Sequence, residues 1–368
     1  MNENKLIVSE SVHSADMLYA SEFRAPDSFI YFETDKEKAI IVSSLEYNRA
    51  LNEHKEAINI YCNDDFKDTA ISKILIELSN KYNITNWTVP NDFPLIYADT
   101  LRESQIEVKC SKTELFPERV SKSNAEIAKI KNALKIAENA MQRAFDILSE
   151  SIINENEVIV WKDEILTSEI LRAEINIEIV RQGGVAFDTI VAGGKQGSEP
   201  HNIGSGALFA MQPIVMDIFP QDLSTGYFGD LSRTVVKGKA PIRIQKAFDT
   251  VLKARDKAKE LINCDMLASD AHKIAFEIIE KAGFPTGKRD GKQHGFMHGL
   301  GHGVGLDIHE APRVSPKNET KLELNSVITV EPGVYYSEWG GIRLEDMIVV
   351  GKEKSVYLNT LDTFLEIE

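Results

Sequence analysis

Cysteine is scarce in this chain: Cys62, Cys110 and Cys264 are the only three in 368 residues, and they lie far apart. An odd, scattered set excludes a disulfide framework and reads as three reduced thiols, so the cytoplasm is the expected compartment. Positive charge is in deficit as well. Lys and Arg number 42 against 57 Asp and Glu, a formal net charge of −15. That balance argues against a nucleic-acid footprint or a polybasic membrane patch. No uncharged run reaches the roughly 20 residues of a membrane span. The opening MNENKLIVSESVHSADML has no basic region followed by an apolar one, so no signal peptide is expected. Low-complexity tracts are absent too. What remains is ordinary globular composition, 43% hydrophobic and 27% charged, in a chain long enough for two domains.

The first 110 or so residues alternate between strand-like and helix-like segments. SFIYFETDKEKAIIVSS is two β-rich runs around a charged turn, EAINIYC is another strand, and FKDTAISKILIELSNKYN has apolar residues at helical spacing. This predicts a small α/β domain. The pattern breaks at Pro117, after which Ser123 with Glu126 forms a capping-box signature. The helix it opens would carry Ile127, Ile130, Leu134, Ala137, Met141, Phe145 and Leu148 on one stripe, which puts the domain boundary near residue 120. Further amphipathic stretches at roughly 242–262 and 267–282 alternate with strand-rich blocks at 214–236 and 325–350.

HGLGHGVGLDIHE, from His298 to Glu310, packs three histidines and four glycines into thirteen positions. A helix is excluded, since each interior glycine costs roughly 1 kcal/mol relative to alanine. The segment is therefore a strand or loop whose backbone must come close to something. The dinucleotide fingerprint fails, because Val304 stands where its last glycine should be.

Four acids are lodged inside apolar, β-like runs: Asp217 in PIVMDIF, Asp230 in YFGDLS, Glu331 in VITVEPG and Glu345 in GIRLEDMIVV. A buried carboxylate is strongly penalised unless it is paired, hydrogen-bonded or bound to metal. The link between Asp217 and Asp230 suits a hairpin that sets them on neighbouring strands, and Glu331 and Glu345 repeat the arrangement across PGVYYSEWGGIRL. Taken singly, His302 would be a packed histidine and each acid a solvated one. Together, four carboxylates balance two divalent cations, and a neutral histidine from the Gly-rich segment adds a nitrogen ligand without changing the sum. Oxygen-rich ligation with one imidazole suits manganese or cobalt better than structural zinc.

With these residues in place, the chain resembles, over essentially its whole length, the metallopeptidase family of aminopeptidase P, prolidase and methionine aminopeptidase. The motifs are HGxGHxxGLxxHE, EPG and GGIRLED. The resemblance implies an α+β chain: a C-terminal pita-bread catalytic domain, 120–368, preceded by a smaller N-terminal α/β creatinase-like domain, 1–119. It assigns the metal ligands to Asp217, Asp230, His302, Glu331 and Glu345. Substrate and proton handling falls to His201 in EPHN, His298 and His309, with Glu331 shuttling a proton. The N-terminal domain points to the Xaa-Pro-cleaving branch, which implies a proline-containing peptide substrate, two divalent metal ions (Mn2+, with Co2+ or Zn2+ as alternatives) and a homodimer. Family members commonly have glycine where this chain has Phe219 and threonine where it has Ser232. His294 reads as structural, and Arg343 as either a carboxylate anchor or a substrate contact. A metal-free creatinase-like amidinohydrolase and a non-catalytic binding protein are the rival readings, and both predict an eroded ligand set.

Overall fold

A computed structural model describes residues 3–53 and 58–368. They form two compact units, Met1–Glu118 and Arg119–Glu368.

The first unit is built on a mixed sheet, six-stranded among the described residues. Its strand order is Asn59–Cys62, Lys38–Val42, Phe29–Glu33, Lys5–Ser9, Asn86–Val89, Glu107–Cys110. Alternation along the strands feeds two cores. Leu6, Val8, Ile30, Phe32, Ala39 and Ile41 face the helices Ile71–Tyr82 and Leu95–Glu103 through Ile74, Leu78 and Leu101. Ile7, Phe29, Tyr31, Ile40 and Val42 face the other way, onto Met17, Ala20 and Ala50 of the helices Ala15–Ser21 and Ser44–Glu53. A strand apolar on both faces reads as a continuous hydrophobic run, which is why these segments were conspicuous in the sequence. The strand expected in EAINIYC occupies Asn59–Cys62, and its first two residues lie outside those described.

The second unit opens with the 27-residue helix Asn124–Glu150. Ser123 Oγ accepts from the Glu126 N–H and the Glu126 carboxylate accepts from the Ser123 N–H, the reciprocal cap the sequence predicts. Its buried face includes Ile130, Leu134, Ala137, Met141, Phe145 and Leu148, and it packs on the helix Ser168–Arg181. A second packed pair, Ile242–Leu261 and Ala268–Lys281, occupies the two amphipathic stretches and shares a core with Ile328, Val330 and Ile348.

Two sheets carry the site. One runs Ile190–Gly193, Ile214–Ile218, Leu231–Lys237, Glu366–Ile367, and the other Glu310–Val314, Gly301–Gly303, Val327–Val330, Asp346–Val349, Val356–Tyr357. In the first, Asp217 pairs with Ser232, so the expected hairpin holds, with Asp230 one residue ahead of its strand. In the second, Val330 pairs with Asp346, which sets Glu331 and Glu345 side by side at the strand ends. Their connection is not a simple turn. Gly333–Tyr336 and Gly340–Arg343 form a two-stranded sheet of their own, because the connector is long and apolar enough to fold back on itself. The sheets are stitched at this point: the Glu345 N–H donates to the Ser232 carbonyl at 3.0 Å, and Thr234 Oγ1 donates to the Arg343 carbonyl at 3.0 Å. No helix among the described residues is long and apolar enough to cross a membrane.

Candidate metal centre

A cavity of about 1110 Å3 in the second unit is lined by Asp217, Asp230, His302, Glu331 and Glu345, and also by His201, His298 and His309. All eight side chains singled out in the sequence therefore face one space. His294 does not; it stacks on Tyr336 with ring centroids 5.5 Å apart, and its Nε2 lies 3.1 Å from Ser337 Oγ.

His302 leaves the middle of its sheet from a short strand in which glycines are required. A Cβ at Gly301 would lie 2.0 Å from the Thr329 carbonyl oxygen, and one at Gly303 2.1 Å from that of Ala311. What the backbone approaches is thus its neighbouring strands, and that closeness seats His302 beside the acids. His302 Nδ1 faces the Gly303 carbonyl at 3.2 Å, so the proton belongs on Nδ1 and the Nε2 lone pair points inward. There Nε2 stands 3.6 Å from Asp230 Oδ2 and 3.5 Å from Glu331 Oε1. Burial, then the neighbouring His309, pushes the His302 pKa down to about 3, which keeps it a neutral donor.

The acids repel one another. Burial first, then the charges of Asp217 and Glu331, holds Asp230 well above the usual carboxylate range. Glu345 is raised in the same way by burial and by Asp230, Glu331 and Asp217. Burial pushes Glu331 up to about 8 against the opposing charge of Arg343. Ligand atoms of Asp230, His302 and Glu345 lie within 4.8 Å of one another, and Asp217 Oδ1 is buried without a hydrogen-bond partner among the described residues. A lone pair aimed at carboxylates, acids crowded against their own charge and an orphaned carboxylate oxygen are what divalent cations would relieve. The donor set fits them.

Arg343 organises one wall. Its Nη2 donates to Asp217 Oδ2 at 2.6 Å, Nε to Ser232 Oγ at 2.9 Å, and Nη1 to the Tyr335 hydroxyl at 3.1 Å and the Pro200 carbonyl at 3.2 Å. Of the two roles open to Arg343, the contacts are those of a carboxylate anchor. Ser232 in turn donates to Glu345 Oε2 at 3.0 Å, so the hydroxyl expected of threonine is kept. His298 has both nitrogens engaged, Nδ1 with the Gly299 carbonyl at 2.7 Å and Nε2 with the Tyr335 hydroxyl at 2.9 Å. A bond from its Nε2 to substrate would displace Tyr335. Phe219 lines the cavity, so its departure from glycine acts on the pocket itself. Asp188, Met297 and Arg313 also line it, and these, like Tyr335, went unnoticed in the sequence. Arg313 had the clearest signal, as a cation four residues beyond His309 in the same short segment.

Comparison with known proteins bears on this geometry. The model of metallopeptidase family M24 matches residues 128–352. A Xaa-Pro dipeptidase of Pyrococcus furiosus is 33% identical over 232 residues, 63% of this chain and 61% of that protein. The chain thus spans less than two thirds of that relative's length. Among solved structures, the prolidase from Pyrococcus furiosus has a TM-score of 0.80 at 26% identity, covering 98% of this chain and 97% of that one. The X-Pro aminopeptidase from Thermotoga maritima MSB8 has a TM-score of 0.83 at 23% identity, covering 100% and 97%, a likeness of fold alone.

Proposed function

Because the chain belongs to metallopeptidase family M24, we propose that it hydrolyses the bond between an N-terminal residue and proline. Two divalent cations, manganese first among them, would be held by Asp217, Asp230, His302, Glu331 and Glu345. The α+β, pita-bread fold is shared with the prolidase and X-Pro aminopeptidase structures. The observation that carries the reading is the convergence of a neutral imidazole nitrogen with buried carboxylates that have too little positive charge around them.

When bound, the cations supply Lewis acidity toward the scissile carbonyl and make a water acidic enough to attack near neutral pH. The residues do the rest. Glu331, with 18% of its side chain exposed against 6% for Asp230, is the acid best placed to take a proton from water and return it to the departing nitrogen. His309, on the cavity wall, donates to the carbonyl oxygen as charge develops there. For His298 to join it, the ring must carry its proton on Nε2 and release the Gly299 carbonyl as well as the Tyr335 hydroxyl; His201 helps bind the peptide. The bond before proline is a tertiary amide with no N–H and its ring fixes φ, so a dedicated pocket is needed.

Incubating the manganese-loaded protein with Ala-Pro, Ala-Pro-Ala and Met-Ala-Ser tests this. Cleavage of either proline peptide is the expected result; release of methionine alone would place the chain in another branch of the family. A homodimer belongs to the same proposal, since N-terminal domains in this family help complete a partner's site. Light scattering at micromolar concentration should give twice the 41.2 kDa chain mass, and a monomer throughout would count against it.

A further inference from the structure

The His309 imidazole makes no hydrogen bond to protein among the described residues. Its ring stands perpendicular to that of His302, with centroids 4.4 Å apart. Its aim therefore depends on how the backbone around it is held. The next residue, Glu310, opens a strand, where successive side chains point to opposite sides. His309 lines the cavity, whereas Glu310 enters a buried ion cluster.

Arg119 Nη2 donates to Glu310 Oε2 at 2.7 Å and to Asp307 Oδ2 at 2.8 Å, and Lys122 Nζ donates to Glu310 Oε1. The side chains of Arg119, Lys122 and Glu310 are only 9%, 2% and 7% exposed. Each oxygen of Glu310 has its own cation. Ions this deeply buried are costly to maintain and very costly to leave half-paired, which makes such a cluster rigid and intolerant of rearrangement. The turn is cut to fit it. A Cβ at Gly305 would lie 2.4 Å from Glu310 Oε1, and the Gly305 carbonyl is fixed by the Phe228 N–H at 2.9 Å. Arg119 and Lys122 come from the segment just ahead of the Asn124–Glu150 helix, far in sequence from the turn they hold.

We infer that Glu310 is a positioning residue, clamped by Arg119 and Lys122 so that the turn at 305–310 presents His309 to the substrate. The inference rests on the reading that His309 acts on a peptide carbonyl. Gly305 and Glu310 then form one device, in which the glycine makes room for the carboxylate that fixes the turn.

A double-mutant cycle on the manganese-loaded full chain with Ala-Pro tests it. Glu310→Gln should lower kcat about tenfold to a hundredfold with KM changed less than about twofold. Added to His309→Ala, it should cost nothing more, because the residue it positions is gone. An equal loss in both backgrounds would overturn the inference. Hydrogen exchange over residues 303–310 supplies a readout independent of turnover. Exchange in Glu310→Gln should quicken by about tenfold or more while distant strands stay protected, and Lys122→Met should do likewise should the first variant not fold. Unchanged protection in a folded variant would also overturn it. If Ala-Pro is not cleaved, or His309→Ala leaves kcat intact, the functional reading fails, and the exchange measurement alone decides whether the clamp holds the turn.

Discussion

At the scale of single residues, the site is governed by charge without compensation. Glu345 is buried beside Asp230, Glu331 and Asp217, with the Ser232 hydroxyl as its hydrogen-bond donor. Glutamine keeps its shape and can still accept from Ser232, but it removes one repelling charge. We therefore expect Glu345→Gln to melt at or above the wild-type temperature in chelator. Manganese at a hundredfold excess over Kd should stabilise the wild type by about 2.7 kcal/mol per site, and the variant by a small part of that. Activity should fall by at least about a hundredfold. Paired melting curves with and without manganese are the check, and a full wild-type shift in the variant would remove Glu345 from the ligand set.

At the scale of elements, the Gly301–Gly303 strand shows how backbone contact serves chemistry. It pairs with Glu310–Val314 through a register shift between His302 and Gly303, and the close approach there leaves no space for a side chain. Gly303→Ala would drive a Cβ into the Ala311 carbonyl, so the strands must part. We expect a loss of about 1–3 kcal/mol, read as a lower Tm, together with weaker manganese binding because His302 is the adjacent residue. An unchanged Tm would show that the bulge yields freely. The strands and helices on either side were legible from alternation and helical spacing, and the capped start of the Asn124–Glu150 helix from two residues alone. The extra hairpin between Glu331 and Glu345 was not. Its two strands pair with each other in a sheet separate from the one that holds the two acids, and no turn signature in the connector announces it.

At the scale of the whole molecule, stability should carry a pH dependence that begins outside the site. His272 is buried between the rings of Phe276 and Phe296, with centroids 5.9 Å and 4.9 Å away, and its Nδ1 has no hydrogen-bond partner among the described residues. Burial lowers its pKa from 6.5 to about 4. The unfolded chain then takes up a proton that the folded chain refuses, so the contribution of neutral His272 is complete above about pH 6.5 and is lost progressively as pH falls toward 4. His272→Leu removes that linkage. Urea midpoints compared between about pH 7 and pH 4 should fall less steeply in the variant than in the wild type; parallel curves would mean that the folded protein protonates His272 without penalty.

The sequence by itself determined the periodicities, the capping box, the acids stranded in apolar runs and the glycine-rich stretch that cannot be a helix. These follow from local rules: backbone freedom, side-chain spacing and the cost of burying charge. The four acids could be named because their type was wrong for their apolar surroundings, and His302 because it joined them; His201, His298 and His309 were named only by the resemblance to the metallopeptidase family. The tertiary structure decided what no local rule reaches. It brought two sheets together so that Ser232 and Thr234 bond across to Glu345 and Arg343. It turned Arg343 toward Asp217, engaged both nitrogens of His298, and carried Arg119 and Lys122 to Glu310, some 190 positions away. Contacts between residues so distant in the chain depend on the summed packing of every element between them, and a hydrogen-bond partner at that separation leaves no trace in the spacing of either residue.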